Sequence, residues 1–242
     1  MDRTSLRRLG RRTLAALAAL LAGAAVLGAI VDLTLEDFHL SGTQVGAIDP
    51  DVMLPSMNCG FCHTVFDTPD SPSASWEGSL MAQGGRDPLF FAQMTTANQD
   101  VANAGYFCMR CHVPNSFVTS HAYQPDGSTL DETDREGVNC HFCHAMVDPI
   151  YKPGVSPSED EAILAALGAT PQHYGNAMWV LDPTGSRRAP RLESEPAHEI
   201  IHSPFHKTGE FCGTCHDVGN VATTRQPDGS YAYNAIDTPP DS

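Results

Sequence analysis

Four copies of one short pattern set the terms on which this chain can fold: Cys59-Gly60-Phe61-Cys62-His63, Cys108-Met109-Arg110-Cys111-His112, Cys140-His141-Phe142-Cys143-His144 and Cys212-Gly213-Thr214-Cys215-His216. They use all 8 cysteines, and each second cysteine is followed at once by histidine, although histidine makes up only 11 of the 242 residues. Two thiols three residues apart can add across the two vinyl groups of one porphyrin, and the adjacent imidazole then reaches the iron. Zinc would use such cysteine pairs but leaves the unfailing histidine unexplained. A disulfide framework is not built from four identical units. The pattern therefore predicts four c-type haems, attached through Cys59, Cys62, Cys108, Cys111, Cys140, Cys143, Cys212 and Cys215, with His63, His112, His144 and His216 as proximal iron ligands.

With so little chain for each cofactor, the porphyrins are expected to form much of the core and to stack closely. Composition agrees. Gly (20) and Pro (18) are plentiful and aromatics make only 7%, which argues against long regular strands or a large repeated strand-and-helix enzyme. The expected fold class is mainly α with much irregular loop, organised around four stacked haems.

The N-terminus reads as an export segment. Arg3, Arg7, Arg8, Arg11 and Arg12 precede an uncharged apolar stretch at residues 14–31, closed by Asp32. At about 1.5 Å per residue such a stretch nearly crosses a bilayer core of about 30 Å. Ala22-Gly23-Ala24 offers a small-x-small cleavage site, but the apolar run continues beyond it, which favours an uncleaved inner-membrane anchor. Residues 1–31 are thus expected as a signal or anchor, 32–221 as the tetrahaem domain, and 222–242 as loop or disordered tail. The exported part is placed in the periplasm. The chain carries 14 Lys+Arg against 29 Asp+Glu, a net charge of −15, and the basic residues removed with the leader leave the remainder more acidic. This excludes a nucleic-acid surface and suits steering of a basic redox protein.

Sixth ligands must come from the other histidines and methionines. His198, His202 and His206 recur at intervals of four just before the last motif. A helix would align the first two, with Pro204 interrupting before the third. His202 and His206 are the preferred candidates. Met81, in Trp76-Glu77-Gly78-Ser79-Leu80-Met81, is a thioether candidate. His121 and His173 are weaker ones, and His141, inside a motif, reads as a surface or neighbouring-haem residue. Among local signals, Asp87-Pro88 starts a helix running to about Asp100. Ser158 with Glu161 predicts a capping box, short helices begin at each motif, and residues 183–197 read as an exposed loop. The pentapeptide Gln-Pro-Asp-Gly-Ser occurs twice, at residues 124–128 and 226–230, as a turn.

These blocks resemble the bacterial multihaem cytochrome c family, particularly domains of the cytochrome c-552/c-554 type. The resemblance extends over residues 38–220. It rests on the haem motifs, Gly42-Thr43-Gln44, the Trp76 to Met81 block with Arg86-Asp87-Pro88, Gly137-Val138-Asn139 before the third motif, and His206-Lys207-Thr208-Gly209-Glu210-Phe211 before the fourth. It implies an irregular, α-helical domain whose distal histidines come from distant parts of the chain. Met81 stands where relatives of this type carry histidine. The function implied is electron transfer between a quinol-linked donor in the membrane and a redox partner protein, with no catalytic residue. The alternatives are a nitrogen-oxide or hydroxylamine oxidoreductase with one open haem, or a structural subunit of an oligomeric haem chain.

Overall fold

The computed structural model describes residues 34–64, 71–191, 197–219, 223–226, 228 and 230–233. Nine α-helices are described: α1 (Ser56–His63), α2 (Pro72–Glu77), α3 (Leu80–Gln83), α4 (Pro88–Asp100), α5 (Ala104–His112), α6 (Pro114–Val118), α7 (Cys140–Ala145), α8 (Ser158–Ala165) and α9 (Gly209–His216). Strands contribute little: β1 (Met146–Val147) pairs antiparallel with β2 (Val180–Leu181), and β3 (Arg188–Ala189) pairs parallel with β4 (Ile201–His202). A hairpin joins β5 (Thr223–Arg225) to β6 (Tyr231–Tyr233). The fold is thus mainly α with long irregular connections. Among the described residues no helix is long and apolar enough to cross a membrane; the apolar stretch at 14–31 lies outside them.

Local chemistry explains most helix boundaries. Asp87 accepts from the Leu89 N–H and Pro88 opens α4, as its sequence signals predict, and Phe90 and Met94 turn inward. Asn139 accepts from the Phe142 N–H and so starts α7 on the third motif. The capping box expected at Ser158 does not form. Ser158 already lies inside α8, behind Pro157, and its hydroxyl donates to the Glu159 carboxylate instead.

The core centres on Trp179, which is fully buried. Phe117 and Phe142 meet its ring edge-on at 5.7 and 5.1 Å, and its Nε1–H donates to the Arg110 carbonyl. Phe142, Met109 and Arg110 are the middle residues of motifs, so the second and third motifs are nailed into this core by the residues between their cysteines. The cysteines themselves stay partly or fully exposed, with Cys62 and Cys212 the most open. Burying a middle phenylalanine is worth about 1.5–3 kcal/mol and directs the thiols to the core's rim.

Two expectations about loops change. Within residues 183–197, Arg188 is completely buried, where it bonds Asp160 at 2.8 Å and Asp182 at 2.9 Å. A guanidinium met by two carboxylates is stable in an interior that periodicity alone would not assign to it. Within 222–242, β5 and β6 pair and the Gln226 N–H donates to the Ser230 carbonyl, while residues 222, 227, 229 and 234–242 lie outside the described residues. Both Gln-Pro-Asp-Gly-Ser copies use the same device, an aspartate accepting from the serine two residues on: Asp126 from Ser128 and Asp228 from Ser230, each at 2.9 Å.

Candidate functional site

All four motifs lie on helices, and in each the histidine falls on the last turn or at the helix end. The helices do not all begin at the motifs, as sequence had suggested. Only α7 does; α1, α5 and α9 begin three or four residues earlier and end on His63, His112 and His216. A helix puts the two cysteines of a pair on one side, and ending on the histidine frees its backbone to redirect the ring.

The four motifs converge, and their order in space differs from their order in sequence. Cys59 of the first is hydrogen-bonded to Cys140 of the third, which pushes the Cys59 thiol up and brings Cys140 down to about 6. Burial pushes Cys143 of the third up to about 12, with Cys212 of the fourth close enough to add to the shift. Cys111 of the second is hydrogen-bonded to Cys215 of the fourth, which lowers Cys111 and raises Cys215. His112 also feels His216. The series therefore runs first, third, fourth, second. Sequence spacing carries no trace of it, because it depends on pairings such as that of the Ser56 N–H with Glu136, 80 residues apart.

The proximal candidates differ in their surroundings. His144 donates from Nδ1 to the Arg188 carbonyl at 2.8 Å, which fixes the tautomer and leaves Nε2 for a metal. His112 stacks on Phe90, with ring centroids 4.3 Å apart and planes 14° apart, and burial lowers its pKa. His63 is exposed on α1 beside Phe61 and Met57, which are 82% and 76% exposed. So much apolar surface beside one motif fits a large apolar group lying over it.

Among the sixth-ligand candidates His206 stands out. It lies on the Pro204–Lys207 turn, parallel to His144 within 16° and 6.3 Å away. That separation accommodates one metal bound by a nitrogen of each ring at about 2 Å. Burial holds His206 neutral, its pKa lowered to about 4. Its Nε2 meets the Cys143 carbonyl at 3.1 Å, while Nδ1 is buried with no partner. A neutral imidazole with an orphaned buried nitrogen is the form that binds a metal. His202 sits in β4 and not on a helix; its Nε2 meets the Pro190 carbonyl at 3.1 Å. The helical alignment of His198 with His202 is therefore absent, and His198 is exposed. Met81 lies on α3 with its side chain half-exposed, while its carbonyl accepts from the Val138 N–H just before the third motif. His173 lines an open cleft of about 680 Å³ with Tyr174, Gly209, Glu210, Gly213 and Asp217, beside the fourth motif. His121 bonds Asp134 through Nδ1 at 2.6 Å.

His141 is neither a surface nor a ligand residue. It is 2% exposed, accepts from the Leu54 N–H at Nδ1 and donates from Nε2 to the Gly185 carbonyl, both at 2.8 Å. With both nitrogens engaged by backbone, it is a strut that ties the third motif to two loops. The residue most plainly missed by sequence reasoning is Arg110, buried inside the second motif.

No protein-family model, curated protein or solved structure matches this chain.

Proposed function

We propose that the chain is a tetrahaem electron-transfer protein of the multihaem cytochrome c kind, anchored or exported at its N-terminus and working on the outer side of a bacterial inner membrane. The observation that carries this reading is the convergence of four Cys-x-x-Cys-His helices into one series, each motif within interaction range of the next. Haem irons bound there would supply one-electron chemistry, alternating between ferric and ferrous. The protein's own residues do the rest. The cysteines would hold each cofactor covalently at the rim of the core. The motif histidines would each supply one nitrogen to an iron, and the Arg188 carbonyl presets the tautomer of His144. His206 supplies a second nitrogen beside His144, and His202, Met81, His121 and His173 are the remaining sources of sixth ligands. With each iron held by two such side chains no place would be left for a substrate, so the assembly would pass charge between a quinol-linked donor and a redox partner protein.

Low-temperature electron paramagnetic resonance of the haem-loaded protein tests the function. An electron carrier gives low-spin signals alone, unchanged by nitrite or hydroxylamine. A high-spin haem whose signal responds to either compound would overturn the carrier and make the chain an oxidoreductase.

A further inference from the structure

The two fully buried arginines are treated in opposite ways. Arg188 is met by the carboxylates of Asp160 and Asp182. Arg110 is 1% exposed and, among the described residues, has no carboxylate within ion-pair distance. Its Nε donates to the Ala177 carbonyl at 2.7 Å and Nη2 to the Ser41 carbonyl at 3.0 Å. The guanidinium lies 4.6 Å from the centre of the Phe117 ring and 4.7 Å from that of Trp179. These contacts orient the group and offset part of its desolvation. They leave a whole positive charge in the interior, and among the described residues Nη1 has no hydrogen-bond partner.

A buried cation without an anion costs several kcal/mol, and proteins seldom retain one. The missing anion is one that the polypeptide does not provide. Ala177, whose carbonyl accepts from Arg110, itself donates its N–H to the carbonyl of Thr214 inside the fourth motif, so the guanidinium lies where the second and fourth motifs meet. Every haem brings propionate carboxylates, and planar guanidinium is suited to pairing with carboxylate. We propose that Arg110 is a cofactor-binding residue whose Nη1 pairs with a propionate of a haem attached at the second or fourth motif. The proposal rests on the haem reading above. It adds a fixed countercharge that raises the reduction potential of that haem by neutralising its carboxylate.

The test compares Arg110→Met and Arg110→Lys with the parent chain, each haem-loaded and quantified as the pyridine haemochrome. Absence of haem from the parent would defeat the haem reading itself, before Arg110 is at issue. With four haems bound, Arg110→Met should shift the reduction equilibrium of one haem about tenfold towards ferric, a fall of about 59 mV for a one-electron couple. It should also move that haem's propionate-bending bands in resonance Raman spectra. Arg110→Lys keeps the charge but not the planar fork, so its potential should stay near the parent's while the bands still move. If Arg110→Met does not accumulate, the Raman bands of Arg110→Lys decide. Unchanged bands in either variant overturn the pairing, including the case in which the potential falls without them. A potential that follows chloride at constant ionic strength, with unchanged bands, would mean a free anion fills the place.

Discussion

His206 and His141 show how little a histidine's position in the sequence says about its work. His141 is buried within the third motif and His206 half-buried beside it, but His141 spends both nitrogens on backbone groups whereas His206 keeps one buried nitrogen unsatisfied. His206→Ala should therefore turn one haem from low-spin to high-spin, read by electron paramagnetic resonance, with the other three unchanged. The same substitution at exposed His198 should change no signal. His141→Ala should leave every haem signal in place but lower stability by about 1–3 kcal/mol, measured by urea unfolding, because the Leu54 N–H and Gly185 carbonyl lose their partner. These contrasts were not legible in the sequence. The motif histidines were, since each directly follows a cysteine pair. Sixth ligands and struts are chosen by tertiary contacts, and the spacing of four that singled out His198 with His202 presumed a helix where the chain forms a strand.

Among the elements, the helices with strong local signals were readable and the rest were not. Asp87 and Pro88 start α4 wherever the chain around them goes. The capping box at Ser158 failed because Pro157 already fixes the start of α8 one residue earlier, and the exposed loop around Arg188 became core because two aspartates meet it. Asn139 joins both kinds of information. It caps α7 through Phe142, and its amide donates to the Leu54 carbonyl, so one side chain positions the third motif against the segment leading into the first. Asn139→Ala should cost about 1–2 kcal/mol in chemical unfolding, and Asn139→Asp, which keeps the cap, should cost less. Gly137 plays a backbone part in the same region. It holds φ +70°, and the Met81 carbonyl oxygen lies against the place where a Cβ would stand, so no side chain can be carried there.

For the whole molecule, the second and third motifs contribute residues to the core, and Cys108, Cys111 and Cys215 lie half-buried against it. Sequence spacing pointed to the mainly α fold class and to the four motifs, but the order first, third, fourth, second arises only when residues some 80 positions apart meet. Acidity acts at this scale too. A net charge of −15 should make electron exchange with a cationic partner slow as ionic strength rises from 0.01 to 0.5 M, in stopped-flow measurements; a salt-independent rate would remove steering from the account. The central claim is the cofactor itself, and it is tested most directly by counting haem. The full chain, produced where c-type haem is attached, should yield four haems per polypeptide as the pyridine haemochrome, all retained after denaturation and acid-acetone extraction. Haem that is extracted, or a chain that carries none while its cysteines remain intact, would contradict it.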